Sequence, residues 1–176
     1  AGVEIKGKTL GVIGLGAIGG LVANAAVELG MNVVGCDPFL SVEAAWNMDR
    51  RVHKVATFED VFKVADYVTL HVPATKDTKG MINATSIASM KDGVVIVNTA
   101  RGAVCDEAAI ADGVLSGKIG ALGCDVYSTE PFGEDHPIHT GSDGTEYMMR
   151  NYNYLLGSID PYFSFDYKMT DSQNHS

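Results

Sequence analysis

The stretch Lys8-Thr9-Leu10-Gly11-Val12-Ile13-Gly14-Leu15-Gly16-Ala17-Ile18-Gly19 decides the fold. An apolar run of strand length, Leu10 to Ile13, meets a glycine turn, and a helical pattern from Ala17 to Leu29 follows, stopped by Gly30. Glycine suits each of its three positions for a different reason. Gly14 permits the tight turn off the strand, Gly16 leaves no side chain between the backbone and an approaching pyrophosphate, and Gly19 lets the helix lie close to the strand. The amides at the helix start, favoured by the macrodipole, then form an anion site. Taken alone, GxGxxG is also compatible with a turn that binds nothing.

The flanking sequence favours a dinucleotide. Met31 to Cys36 forms a second strand-length run, and Asp37 closes it 18 positions after Gly19. An acid about 20 residues on reaches the adenosine ribose hydroxyls. A carboxylate there repels a 2′-phosphate, so NAD is the expected cofactor rather than NADP.

Working outward, short apolar runs alternate with helical ones, the arrangement that builds a doubly wound parallel sheet. The expected strands are Leu10 to Ile13, Asn32 to Cys36, Val52 to Val55, Tyr67 to Leu70, Val94 to Asn98 and Ile119 to Asp125. Between them fall helices Ala17 to Leu29, Val42 to Asn47, Phe58 to Val64, Ala84 to Met90 and Glu107 to Ser116, with Thr57 and Asp106 as caps. The run Val94-Val95-Ile96-Val97 suits a strand covered on both faces. The expected class is therefore α/β, a Rossmann-like doubly wound sheet in a single cofactor domain, residues 1–140, followed by an irregular tail, residues 141–176.

Ligands of such sheets lie beyond the carboxyl ends of the strands. The segments there are Gly14 to Gly19, Asp37-Pro38, His71 to Thr78, Asn98 to Gly102 and Asp125. Arg101 is the candidate substrate group, because a guanidinium holds a carboxylate through two parallel hydrogen bonds. The alternative is a surface arginine paired with Asp106 or Glu107.

Composition narrows the function classes. With 22 acidic and 13 basic residues the net charge is -9, which disfavours nucleic acid and anionic membrane as partners. No run is long and apolar enough to span a bilayer, and residues 1–6 do not read as a signal peptide. Cys36, Cys105 and Cys124 lack metal-ligand spacing. Reduced thiols in a cytoplasmic protein, and no metal, are the expectation.

Four segments carry a resemblance to one family. Residues 7–19, His71-Val72-Pro73 through Ile82, Asn98-Thr99-Ala100-Arg101-Gly102 through Glu107, and Gly123-Cys124-Asp125-Val126-Tyr127-Ser128-Thr129-Glu130-Pro131 resemble the D-isomer-specific 2-hydroxyacid dehydrogenases. Residues 35–46 are most similar to the family's phosphoglycerate dehydrogenase branch, which implies 3-phosphoglycerate as substrate and a place in serine biosynthesis.

The resemblance implies a hydride transfer between C2 of a 2-hydroxy acid and the nicotinamide of NAD, in an enzyme that dimerises through its cofactor domain. Arg101 matches the arginine that binds the substrate carboxylate and carbonyl, and Glu130 the acid that orients the catalytic histidine. Gly14, Gly16, Ala17, Ile18 and Gly19 surround the pyrophosphate, Asp37 the adenosine ribose, and Val72, Pro73 and Thr78 the adenosine side of the cleft. Thr99 and Ala100 join the cofactor contacts, and Asp125 matches the partner of the nicotinamide carboxamide.

Two departures from the family pattern are expected to matter. The histidine that the family places in a Pro-His-Ile-Gly turn has no counterpart in residues 141–176; His136 and His139 lie only six and nine positions after Glu130, and His175 stands at the end. The substrate domain that the family places upstream is also expected to be absent. Little turnover by this chain alone follows, and a module that binds NAD(H) without chemistry is the competing reading. Residues 141–176 carry Tyr147, Tyr152, Tyr154, Tyr162, Phe163, Phe165 and Tyr167, and are expected to form a non-family tail over otherwise bare apolar surface.

Overall fold

The computed structural model describes residues 4–129. Six strands form one sheet: β1 Thr9–Ile13, β2 Asn32–Cys36, β3 Val52–Lys54, β4 Tyr67–Leu70, β5 Val94–Asn98 and β6 Ile119–Cys124. Their order is β3-β2-β1-β4-β5-β6, and every neighbouring pair is parallel. The expected doubly wound sheet is present, with each strand within a residue or so of its expected bounds. The chain winds one way from β1 to β3 and the other way from β4 to β6. The switch point between β1 and β4 is where such sheets open a crevice.

Helices supply the crossovers: α1 Ala17–Glu28, α2 Val42–Trp46, α3 Phe58–Val64, α4 Ala84–Ser89 and α5 Glu107–Leu115. Their starts follow from side-chain caps. The Thr57 hydroxyl accepts the Asp60 amide at 3.2 Å, and Asp106 accepts the amides of Ala108 and Ala109 at 3.1 and 3.2 Å, so both expected caps are present. Ser41 caps α2, and Asn83 with Ser86 forms a capping box on α4.

Alternation along β1 sorts its side chains into two cores. Leu10 and Val12 join Leu15, Ala23, Ala26 and Val27 beneath α1, whereas Ile13 joins Val61, Phe62 and Leu70 beneath α3. Gly11 lies on the α3 side because a Cβ there would stand 2.4 Å from Val61 Cγ1. In β5, Val94, Ile96 and Asn98 are buried and Val95 and Val97 half-buried, with α5 packed on the neighbouring β6 and α4 against α3 and α5. The expected tail, residues 141–176, lies outside the described residues.

Candidate functional site

Register places the candidate residues in one row. Across the sheet Cys36 pairs with Ile13, Ile13 with Leu70, Leu70 with Asn98 and Asn98 with Cys124. The five strands therefore end level, and the residues that follow them, Asp37, Gly14, His71, Thr99 and Asp125, line the carboxyl edge. At the usual strand spacing the row is about 19 Å long.

At its centre the glycine turn is built by close approach. Gly14 has φ 91°, and a Cβ on it would meet His71 O at 2.8 Å and Val72 Cγ1 at 2.9 Å. A Cβ on Gly19 would lie 1.9 Å from Gly14 O, so α1 and the turn touch through backbone alone. Gly16 differs from both, because nothing stands within 4 Å of its Cβ direction and the residue is exposed. It is also the N-cap of α1, offers no side-chain cap, and no acid stands in the first turn. No side chain caps the first-turn amides of Ala17 and Ile18, and both residues are exposed, Ile18 by 68%. An uncapped helix start beside a bare glycine fits a pyrophosphate.

Asp37 binds the turn as well as flanking it. Its Oδ2 accepts the Leu15 amide at 2.9 Å and its Oδ1 the Phe39 amide at 2.9 Å. Beyond β4, Val72 is buried and Pro73 exposed. Thr78 is 8% exposed, and its hydroxyl accepts the Thr75 amide at 2.8 Å and donates to Pro73 O, which closes the loop on itself. His71 lies beneath the glycine turn with Nε2 3.0 Å from Thr69 Oγ1, and burial lowers its pKa.

The other end of the row forms around Asn98. Its side chain gathers Ala100, Arg101 and Cys105, and its carbonyl accepts the Asp125 amide at 3.0 Å, which ties β5 to the end of β6. Thr99 is exposed and Ala100 half-buried. Arg101 is exposed, and Nη1 donates to Ala100 O at 2.6 Å. Among the described residues no ion pair joins Arg101 to Asp106 or Glu107. Asp106 caps α5, and Glu107 accepts the Ser128 amide at 2.7 Å. A 3₁₀ turn at Gly102–Val104, absent from the sequence reading, carries the chain from Arg101 toward α5.

Some candidates fall elsewhere. Glu130, His136, His139 and His175 lie outside the described residues. Among the described residues no cluster of His, Cys, Asp and Glu that could hold a metal occurs, and no helix is long and apolar enough to cross a membrane. Burial raises the pKa of Cys36 and pushes that of Cys105 up to about 12, so both thiols stay protonated near neutral pH. Asn98 was the residue sequence reasoning passed over. It stood inside a quoted segment, but a polar residue ending an apolar strand was its only signal.

Comparison with known proteins agrees with this geometry. Residues 1–144 match the family described as D-isomer specific 2-hydroxyacid dehydrogenase, NAD binding domain. The chain is 44% identical over 137 residues to a D-3-phosphoglycerate dehydrogenase of Archaeoglobus fulgidus, covering 78% of this chain and 25% of that one. It is 48% identical over 130 residues to a hydroxypyruvate reductase of Thermotoga maritima, covering 74% and 40%. Among solved structures, a D-lactate dehydrogenase from Aquifex aeolicus complexed with NAD and lactic acid superposes with a TM-score of 0.62 at 40% identity, covering 70% of this chain and 36% of that one. The chain thus spans a quarter to two fifths of the length of these relatives.

Proposed function

The chain belongs to the D-isomer-specific 2-hydroxyacid dehydrogenases, through their NAD-binding domain, and we propose that it is the cofactor-binding part of an NAD-dependent oxidoreductase acting on the CH–OH group of a D-2-hydroxy acid. The level row of strand ends, with the uncapped start of α1 at its centre, carries this reading.

In this reading the amides around Gly14, Gly16, Ala17, Ile18 and Gly19 receive the pyrophosphate. Asp37 accepts from the ribose hydroxyls while its carboxylate steadies the turn. Val72, Pro73 and the loop stapled by Thr78 flank the adenosine. Thr99, Ala100 and Asp125 serve the nicotinamide end, where the cofactor, once bound, exchanges a hydride with C2 of the acid. Arg101 holds the substrate carboxylate, its exposed guanidinium presenting two parallel N–H groups once Nη1 exchanges Ala100 O for the acid. Glu130 is assigned the orientation of the catalytic histidine.

The finer assignments are also ours. Phosphoglycerate is the proposed acid, on the strength of residues 35–46 and of the Archaeoglobus fulgidus relative; the hydroxypyruvate reductase and lactate dehydrogenase names mark the alternatives. A place in serine biosynthesis, a cytoplasmic setting with reduced thiols and a homodimer formed through this domain complete the proposal.

Titration of the purified chain with NADH, followed by addition of 3-phosphohydroxypyruvate while absorbance is recorded, tests it. Binding with oxidation supports the enzyme in full. Binding without oxidation restricts this chain to an NAD(H)-binding module, and no binding overturns the reading.

A further inference from the structure

We infer that Asn98 is the positioning residue that sets Arg101 against the substrate carboxylate; this rests on the role proposed above for Arg101. Asn98 ends β5 with 1% of its surface exposed, and both ends of its amide are used. Nδ2 donates to Arg101 O at 3.0 Å and to Cys105 Sγ at 3.4 Å, while Oδ1 accepts the Ala100 amide at 3.1 Å. One planar group thus fixes the residue before Arg101, the carbonyl of Arg101 and the start of the segment leading to α5.

The far side of Arg101 is fixed independently. Arg101 O also accepts the Val104 amide at 3.2 Å, which closes the 3₁₀ turn. Gly102 is pressed against the backbone of Tyr127 and Ser128, where a Cβ would stand 1.9 Å from Tyr127 C. Ser128 is in turn held by Glu107 through its amide at 2.7 Å. Arg101 stands between two anchored points, extended at φ -151° and ψ 137°, its side chain exposed and Nη1 donating to Ala100 O at 2.6 Å.

The chemistry of the position requires an amide. A carboxylate offers the acceptor for Ala100 and no donor, and it would face the carbonyl of Arg101 with like partial charge. A buried polar group whose partner is removed is costly, so the turn would rearrange rather than persist. Rearrangement moves Arg101 while leaving the glycine turn, which follows β1 two strands away, undisturbed.

The test uses the full chain and two probes. ADP-ribose reports on the adenosine and pyrophosphate end; oxalate, added to the NADH complex, reports on the carboxylate site; both are followed by calorimetry. For Asn98→Asp and Asn98→Ala we expect at least a tenfold loss of oxalate affinity, with ADP-ribose affinity within twofold of wild type. Arg101→Ala is the control, expected to abolish oxalate binding and spare ADP-ribose. Oxalate binding unchanged in both Asn98 variants, with Arg101→Ala defective, would overturn the inference alone. Loss of both probes together in the Asn98 variants would make the residue a general support of the fold and also overturn it. If wild type does not bind oxalate, or Arg101→Ala binds it normally, the role of Arg101 fails and the inference with it.

Discussion

The carboxylate of Asp37 accepts the backbone amide of Leu15 at 2.9 Å, linking the end of β2 to the middle of the glycine turn. The residue proposed for the ribose therefore also shapes the turn proposed for the pyrophosphate. Leu15 is 1% exposed, so removing its acceptor strands a buried donor, at about 1–3 kcal/mol. Asp37→Ala is expected to weaken NADH binding about tenfold to a hundredfold and to lower the melting temperature. NADPH should lose less than NADH, because the repulsion of its 2′-phosphate disappears. Fluorescence titration with both nucleotides checks this; an unchanged melting temperature would show that the Leu15 bond contributes little.

His71 makes the site acid-sensitive. Burial lowers its pKa from the ordinary value near 6.5, so the fold favours the neutral ring. The unfolded chain binds a proton as pH falls below about 6.5 while the folded chain still resists it, and stability drops through that window until the folded pKa is passed. His71→Gln, which keeps a polar contact for Thr69, is expected to flatten this limb. Melting temperatures of both proteins between pH 7.5 and 5 measure the difference, and parallel curves would refute the assignment.

Asp66 acts in a lower range with the opposite residue chemistry. Burial raises its pKa, but the Thr9 amide at 2.8 Å and the Lys91 ammonium at 2.9 Å outweigh it, and the net shift is downward. Its contribution is therefore present above about pH 4 and lost as pH falls through the lowered folded value. Asp66→Asn keeps an acceptor for Thr9 and loses the ion pair, which is partly exposed and worth about 0–1 kcal/mol. The variant should melt slightly lower at pH 7, and the difference from wild type should shrink as pH falls below about 4, as melting temperatures of both proteins across that range would show.

The sheet was legible in the sequence because each of its signals was local. Strand-length valine and isoleucine runs, the Gly30 stop and the Thr57 and Asp106 caps depend on residues a few positions apart, and the expected strand and helix bounds follow them closely. The site was legible as segments but not as connections. That Asp37 reaches back to Leu15, and that Glu107 turns to Ser128 rather than to Arg101, depends on pairs 22 and 21 positions apart that no periodicity encodes. The 3₁₀ turn after Arg101 was missed for a similar reason, since it is held by Asn98 and by the approach of Tyr127 to Gly102. Thr78 is a middle case. The resemblance assigns it to the adenosine side of the cleft, whereas the commitment of its hydroxyl to Thr75 and Pro73 is visible only in three dimensions.

Gly16 and Gly19 separate binding from folding within one turn of chain. A Cβ on Gly16 meets nothing within 4 Å, and the backbone there, φ -70°, suits any L-residue. Gly16→Ala should therefore leave the melting temperature nearly unchanged, since the unfolded-chain gain of about 0.4–1 kcal/mol is offset by the poorer N-cap that alanine makes. The same methyl group would project into the space assigned to the pyrophosphate, so NADH affinity should fall at least tenfold. Gly19→Ala places its Cβ 1.9 Å from Gly14 O, a contact with backbone that no side-chain rotation relieves. That variant is expected to lose several degrees of melting temperature or fail to fold, whether or not NADH is present. Calorimetric melting and NADH titration on the two variants give the comparison. Normal NADH binding by Gly16→Ala would place the pyrophosphate elsewhere, because open space beside the helix start is the physical reason for locating it there.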